Sequence, residues 1–375
     1  MASAHFALDG GEHSRPMNSR LVALALLIAL NDPSAAAESE PTQPSIAQPL
    51  KQFKDWTVGC DNLRTCTALG LPPSEEAGAY VKISRTGAAD DEPAVSFTAY
   101  AENETKQPLL KVLLDGEAAP SLPNEPLSAR QDGDFATASL SGDGARAFIA
   151  ALRSAKTLTV QLIDGDKAGD AATVSLAGAA AALLYMDAQQ SRLGTVTALI
   201  RRGESPASSI PSPPEPPTIA AVKMGEIKKP PKLPPGVVPA KDESCKGYDP
   251  IVVRLSSDQT LWGVCDQAAA YNFAYRFWIV GAGRAKPAVF QIPGRRADED
   301  PALLTSPTLS DDGLTLGAEN KGRGVGDCGE ISEWAWDGAA FRLVRLRQMD
   351  ECRGVSSDDW PTLYTAKAAQ ARSSH

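Results

Sequence analysis

Apolar and polar positions along the chain alternate in two different styles. In the first half, strand-like segments Phe53 to Cys60, Tyr80 to Ser84, Ala94 to Tyr100 and Leu109 to Leu114 are separated by turn-rich sequence such as Pro72-Pro73 and Asp90-Asp91. Ala145, Phe148, Ile149 and Leu152 then fall at i, i+3, i+4 and i+7, which is one apolar helical face, with Asp143 as its N-cap. Strands Leu158 to Ile163 and Thr173 to Leu176 follow, joined by a turn at Asp164-Gly165. From Ala179 a second helix turns Leu183 and Met186 inward. Gly194 interrupts it, and Thr195 caps a last short turn through Ile200. Residues 53–203 are expected to form a strand-rich α+β domain.

The second half alternates with period two almost throughout. Ile251, Val253 and Leu255 lead through a turn at Ser256 to Gln259 into Leu261 to Cys265. Tyr271, Phe273, Tyr275 and Phe277 alternate in the same way and run into Trp278-Ile279-Val280. Leu309 and Leu314 flank Asp311-Asp312-Gly313, and Asp337-Gly338 separates Trp334-Ala335-Trp336 from Phe341-Arg342-Leu343. Asp-Gly between alternating runs is a strong hairpin signal. No helical stripe is visible, so residues 241–368 are expected to be an all-β antiparallel sandwich or barrel. The fold class is therefore mainly β in two domains.

Between them, residues 204–240 hold eleven prolines and no aromatic residue or cysteine. Such a stretch favours extended polyproline geometry, and the expectation is an inter-domain linker with few contacts of its own. At the other end of the chain, Leu21 to Leu30 is an unbroken apolar run after Arg20, too short to span a bilayer and followed by Ala35-Ala36-Ala37. This is the pattern of a secretory signal peptide, so residues 1–37 are expected to be a leader cleaved after Ala37, with Met1 and Met17 both open as the start. No cysteine lies near the cut, so no lipid anchor is expected, nor a membrane span once the signal is gone. The expected location is periplasmic or secreted.

An even set of cysteines agrees with export: Cys60, Cys66, Cys245, Cys265, Cys328 and Cys352. Cys60 and Cys66 are alone in the first domain and are expected to pair. The other four allow three pairings; Cys245–Cys265 with Cys328–Cys352 is favoured because each pair brackets a predicted hairpin. Closing a loop of about 20 residues is worth roughly 3 kcal/mol.

The charge balance, 37 basic against 46 acidic residues, argues against nucleic acid as a partner. His5 and His13 leave with the leader, and His375 is the only other histidine. That removes Ser-His-Asp and Cys-His catalysis and histidine metal ligation. Asp164, Asp166 and Asp170, with Asp187 further on, invite a calcium reading. The closing glutamate of a calcium loop is missing, so a solvated turn is favoured. Gly322-x-Gly324-x-Gly326 is followed neither by a helix nor by Lys-Ser/Thr and reads as a loop. Trp334 and Trp336 share one side of a strand, as core or as a sugar platform, with core favoured. Arg342, Arg345 and Arg347 read as a salt-laced strand beside Asp350 and Glu351. Glu330 and Glu333 are spaced to point to opposite faces, which counts against a paired acid and base. No catalytic, cofactor-binding or metal residues are assigned, and no cofactor is expected.

Several segments carry a resemblance: Phe53-Lys-Asp-Trp-Thr-Val-Gly-Cys60-Asp-Asn with Cys66, Leu261-Trp-Gly-Val-Cys265-Asp, Gly326-Asp-Cys328-Gly with Trp334-Ala-Trp-Asp-Gly338, Cys352-Arg-Gly354, and Asp359-Trp-Pro361. Across about residues 50–366 they are similar to domain-of-unknown-function family eleven-seventy-six, an uncharacterised family of secreted proteobacterial proteins. Gly144 to Ala182, ending in Ser175-Leu176-Ala177-Gly178, resembles the end of the invasion-associated locus B proteins, which implies a possible domain shape only. Neither resemblance implies an activity. The expected function is a non-enzymatic periplasmic or secreted protein binding an envelope or extracellular partner. The alternative is a carboxylate-dependent hydrolase acting on cell-envelope glycans.

Overall fold

The computed structural model describes residues 49–75, 78–119, 122, 125–294 and 299–371; the leader, residues 1–37, lies outside the described residues. Strands dominate, in largely antiparallel sheets with two α-helices, in agreement with the mainly β expectation. In the first half, a seven-stranded sheet runs in spatial order Lys51–Phe53, Trp56–Cys60, Cys66–Gly70, Ala79–Arg85, Ala94–Tyr100, Phe135–Leu140, Arg130–Asp132. A second sheet is built on Lys167–Ser175, Thr157–Asp164 and Pro108–Leu114. Helices α1 (Gly142–Ala151) and α2 (Ala179–Gln189) complete this lobe.

The helical period holds in α1, where Ala145, Phe148 and Ile149 are buried and Phe148 meets Phe97 edge to face at 4.9 Å. Ser141 is the N-cap residue and Asp143 sits in the first turn, not at the cap. The segment expected as one strand from Phe53 to Cys60 turns at Lys54, which takes a positive φ of 55°. Gly178 precedes α2 at φ 103°, and a Cβ there would lie 1.7 Å from the Phe53 carbonyl oxygen. Only glycine lets the helix start this close to the first strands. Helix α2 ends at Gln189, before Gly194.

In the second half, one sheet carries Gly225–Glu226, Ile251–Arg254, Gln259–Ala268, Phe273–Gly281 and Arg284–Pro287, with Leu303–Thr305 on Phe273–Gly281. Another carries Thr308–Leu309, Leu316–Lys321, Gly329–Trp336, Phe341–Met349 and Thr362–Thr365. Hairpins turn at Asp311 to Gly313 and at Asp337-Gly338. No α-helix occurs among the described residues of this half. Trp334 and Trp336 are 1% exposed, inside a core with Phe290 and Phe341, which disposes of the sugar platform. Three disulfides join Cys60 to Cys66, Cys245 to Cys265 and Cys328 to Cys352.

The proline-rich stretch departs from the expectation of a loose tether. Thr218–Ala221 pairs in parallel with Lys367–Gln370, and Gly225–Glu226 joins the edge strand Ile251–Arg254. Ile210, Ala221, Met224 and Val237 are buried. Arg64 Nη2 donates to the Pro211 carbonyl at 2.9 Å, and Val222 N–H donates to the Trp336 carbonyl at 2.8 Å. Composition missed this because the few apolar residues are spaced to reach both neighbours, while proline removes donors without forbidding an edge position. No helix among the described residues is long and apolar enough to cross a membrane.

Candidate functional site

Two lobes meet over a small apolar cluster that draws on both: Leu69, Leu71 and Tyr80 pack with Met349, Val355 and Trp360. Polar contacts surround it. Arg353 Nη1 donates to Asp55 at 2.8 Å and to the Pro72 carbonyl at 3.0 Å. Asn62 exchanges two bonds with the Thr365 backbone, at 3.0 and 2.8 Å.

Beside this contact lies a cleft of about 450 Å³ lined from both lobes. Strand Ala79–Arg85 alternates, so Tyr80, Lys82 and Ser84 face the junction while Val81 and Ile83 enter the core. A bulge between Glu333 and Trp334 in the register with Phe341–Met349 resets the alternation, after which Arg345 and Arg347 point into the cleft. Asp61, Asp358 and Asp359 line it too, so three cations meet three carboxylates.

Their engagements differ. Asp359 accepts from the Tyr80 hydroxyl at 2.6 Å and pairs with Lys82. Burial first, then the Asp359 charge, push the Tyr80 hydroxyl well above its ordinary pKa, so it stays a proton donor. Asp61 is buried, and its Oδ1 accepts from the backbone N–H groups of Leu63 and Thr65 at 2.9 and 2.8 Å. Burial raises the Asp61 carboxyl against the pull of those two bonds. Arg345 lies 3.6 Å from Glu333. Arg347 donates through Nη1 to the Ser357 carbonyl at 3.0 Å, but its Nε is buried and donates to nothing among the described residues.

Of the residues weighed for chemistry in the sequence, only Arg345 and Arg347 line this cleft; Asp61, Asp359 and Trp360, which also line it, were named only within the motifs of the family resemblance. Arg342 bonds Asp337 instead, at 2.7 Å. Glu333 pairs with Arg345, whereas Glu330 lines a larger cavity of about 860 Å³ and is itself engaged. That cavity borders Gly294 and Glu299, either side of residues outside the description. Asp164, Asp166 and Asp170 are exposed at a hairpin end. The glycines from 322 to 326 form the loop before Gly329–Trp336. The one grouping of potential metal ligands among the described residues is Asp327 with Cys328 and Cys352, whose sulfurs are bonded to each other. Asp327 is held by Arg323 Nε at 2.7 Å and by the Gly354 N–H at 2.6 Å.

Asp187 also has a structural post. It is fully buried, bonded to Arg85 Nη2 at 2.8 Å and to the backbone N–H groups of Leu199 and Ile200. Gln190 joins them, accepting from Arg85 Nε at 2.7 Å. Sequence reading missed Lys82, Asp61 and Asp359. Nothing local marks them except strand alternation for Lys82 and the Asp359-Trp-Pro361 motif.

Comparison with known proteins adds relatives. The chain is 29% identical over 361 residues to "Uncharacterized protein YpfG" of Escherichia coli (strain K12), covering 87% of this chain and 96% of that one. A solved structure of invasion associated protein b from Bartonella henselae is similar at 17% identity and a TM-score of 0.29, over 38% of this chain and 99% of that chain. Residues 50–367, most of the chain and both sides of the cleft, match the family described as protein of unknown function (DUF1176), and the chain belongs to that family.

Proposed function

We propose that this is a non-enzymatic, disulfide-stabilised protein of the periplasm or extracellular space, exported by a signal cleaved after Ala37, that binds an envelope or extracellular partner in the junction cleft. The two domains, 53–203 and 241–368, each supply one wall, and 204–240 connects them. Two separate large cores support that division. Three disulfides support an oxidising compartment.

The observation that carries the binding reading is Arg347. Its guanidinium gives Nη1 to the Ser357 carbonyl, lies 3.9 Å from the exposed Asp358 and keeps a buried Nε without an acceptor among the described residues; with the half-exposed Arg345 it makes a cationic wall for a polar ligand. Two of the three cleft carboxylates are already committed, Asp359 to Tyr80 and Lys82 and Asp61 to its own turn, and the third, the exposed Asp358, faces Arg347 at 3.9 Å. With no histidine between residues 14 and 374, no imidazole base is available either. The competing hydrolase reading rests on the raised carboxyl of Asp61 beside two other aspartates.

One screen separates the two. Muropeptides and envelope oligosaccharides titrated against the mature chain should bind without cleavage, and Arg347→Met should abolish binding. Turnover that is lost in Asp61→Asn would establish the hydrolase instead. Equal binding by Arg347→Met would remove the cleft from the account.

A further inference from the structure

The sheet built on Ile251–Arg254, Gln259–Ala268 and Phe273–Gly281 is apolar on both faces. Val253, Leu261, Phe277 and Ile279 enter the lobe's main core. The alternate residues Val252, Trp262, Val264 and Trp278 point the other way, where a lone sheet would meet water. Trp262 and Trp278 stand directly opposite each other in register, so both indoles belong to the same apolar cluster on this face. Yet they are only 3% and 6% exposed. What covers them is the proline-rich stretch, through Ile227, Leu233 and Val237.

The attachment is unusual. Ile227 N–H donates to the Val252 carbonyl at 2.8 Å, and that is the last backbone bond from the strap to this sheet among the described residues before Cys245. Pro230, Pro231, Pro234 and Pro235 have no N–H to offer. Lys228, Lys229 and Lys232 between them form no ion pair among the described residues. The strap is therefore held by apolar side chains laid on tryptophan, as aromatic-lined grooves hold proline-rich segments, but in a bent form that turns at Lys232 and again at residues 234–237, where Val237 N–H donates to the Pro234 carbonyl at 3.2 Å and Gly236 takes a φ of 87°.

We infer that the Trp262–Trp278 face is a binding groove for proline-rich peptides, occupied in cis by residues 228–237, and that it accepts a proline-rich segment of a partner when the strap lifts. The ligand class is a proline-rich peptide able to take this bent form, with an aliphatic residue set among paired prolines, as in Pro230-Pro231-Lys232-Leu233-Pro234-Pro235. The groove is separate from the junction cleft and does not depend on it. A tethered occupant competes at an effective concentration of order millimolar, so free peptide binds weakly while the strap is seated.

The test uses the full mature chain with residues 228–236 replaced by a Gly/Ser sequence of equal length, disulfides verified by mass. The probe is a labelled synthetic peptide of residues 227–238 with glutamine in place of its lysines. The strap-replaced protein should bind it at least tenfold more tightly than the unaltered chain, with a change in tryptophan emission that disappears in the further variant Trp278→Leu. A second measurement needs no variant. Excess peptide should speed tryptic cleavage at Lys232-Leu233 in the unaltered protein several-fold, because it displaces the strap. Equal affinity of the two proteins, or a cleavage rate indifferent to peptide, would overturn the inference.

Discussion

Arg85 and Arg347 hold the same guanidinium in opposite circumstances. Arg85 ends strand Ala79–Arg85 inside the first lobe, where Asp187, Gln190 and the Thr197 carbonyl take its three nitrogens at 2.7–2.9 Å. Beside it Arg192, also buried, donates to the carbonyls of Ala88 and Ala89. Burial, and then the neighbouring Arg85 charge, pull the Arg192 guanidinium down to about 10, so it stays charged at neutral pH. This cluster pins α2 and the following loop to the end of the sheet. Arg347 faces a cleft with one nitrogen unanswered. Arg192 Nε is likewise buried without a partner among the described residues, so what sets Arg347 apart is its place in the wall of the cleft.

The contrast is broken most sharply at Asp187. Replacing it by alanine strands Arg85 in the interior, and about 3–5 kcal/mol of stability should go, visible as a large fall in denaturant midpoint. A midpoint within experimental error of the unaltered protein would mean the network is not structural. Next in size is the covalent cross-link. Cys328–Cys352 closes 24 residues and Cys60–Cys66 only 6, so replacing the longer bridge by an alanine pair should cost about 3 kcal/mol and the shorter about 2. Equal losses would show that strain or residual structure, not loop closure, governs both.

Acid sharpens the comparison further. Burial alone would raise the Asp327 carboxyl, but its bonds to Arg323 and the Gly354 N–H outweigh that and hold it below the usual carboxylate range. A depressed carboxyl contributes stability above about pH 4 that is lost as pH falls through its folded value. Asp61, raised by burial, acts in the opposite sense: it weakens the fold as pH climbs past its unfolded value. Urea midpoints should therefore fall less steeply below pH 4 in Asp327→Asn than in the unaltered chain. An unchanged slope would take Asp327 out of the acid response. The smallest effect is at the cleft. Lys82→Met should shift stability by under about 1 kcal/mol, since Lys82 and Asp359 are both partly exposed, while weakening ligand binding. A loss comparable with Asp187→Ala would place Lys82 among the structural charges.

Local features were the legible ones. The α1 stripe, the Asp337-Gly338 hairpin and the alternation of 251–280 are written in residues a few positions apart, and the structure follows them. The strand Cys66–Gly70 was passed over because Cys-Thr-Ala-Leu-Gly lacks any polar alternation, being buried on both faces. Arg85 and Asp187 are about a hundred residues apart, and no spacing rule joins them. In α2 the inward stripe of Leu183 and Met186 continues as Asp187 and Gln190 at the same helical spacing. Polar side chains on a core-facing stripe were the available sign of a buried network. The cleft was invisible for a related reason: its walls come from 61–84 and 345–365, and only folding makes them neighbours.

The parallel pairing of Thr218–Ala221 with Lys367–Gln370 bears on the order in which the molecule assembles. The partners are separated by roughly 150 residues, so the entropy of closing that loop must be met before any contact between them repays it. During synthesis the later strand emerges long after the earlier one. The stretch that covers the outer tryptophans can therefore be tied early, where Gly225–Glu226 meets Ile251–Arg254, while its more distant anchor at Thr218–Ala221 must wait for residues 367–370 to be made.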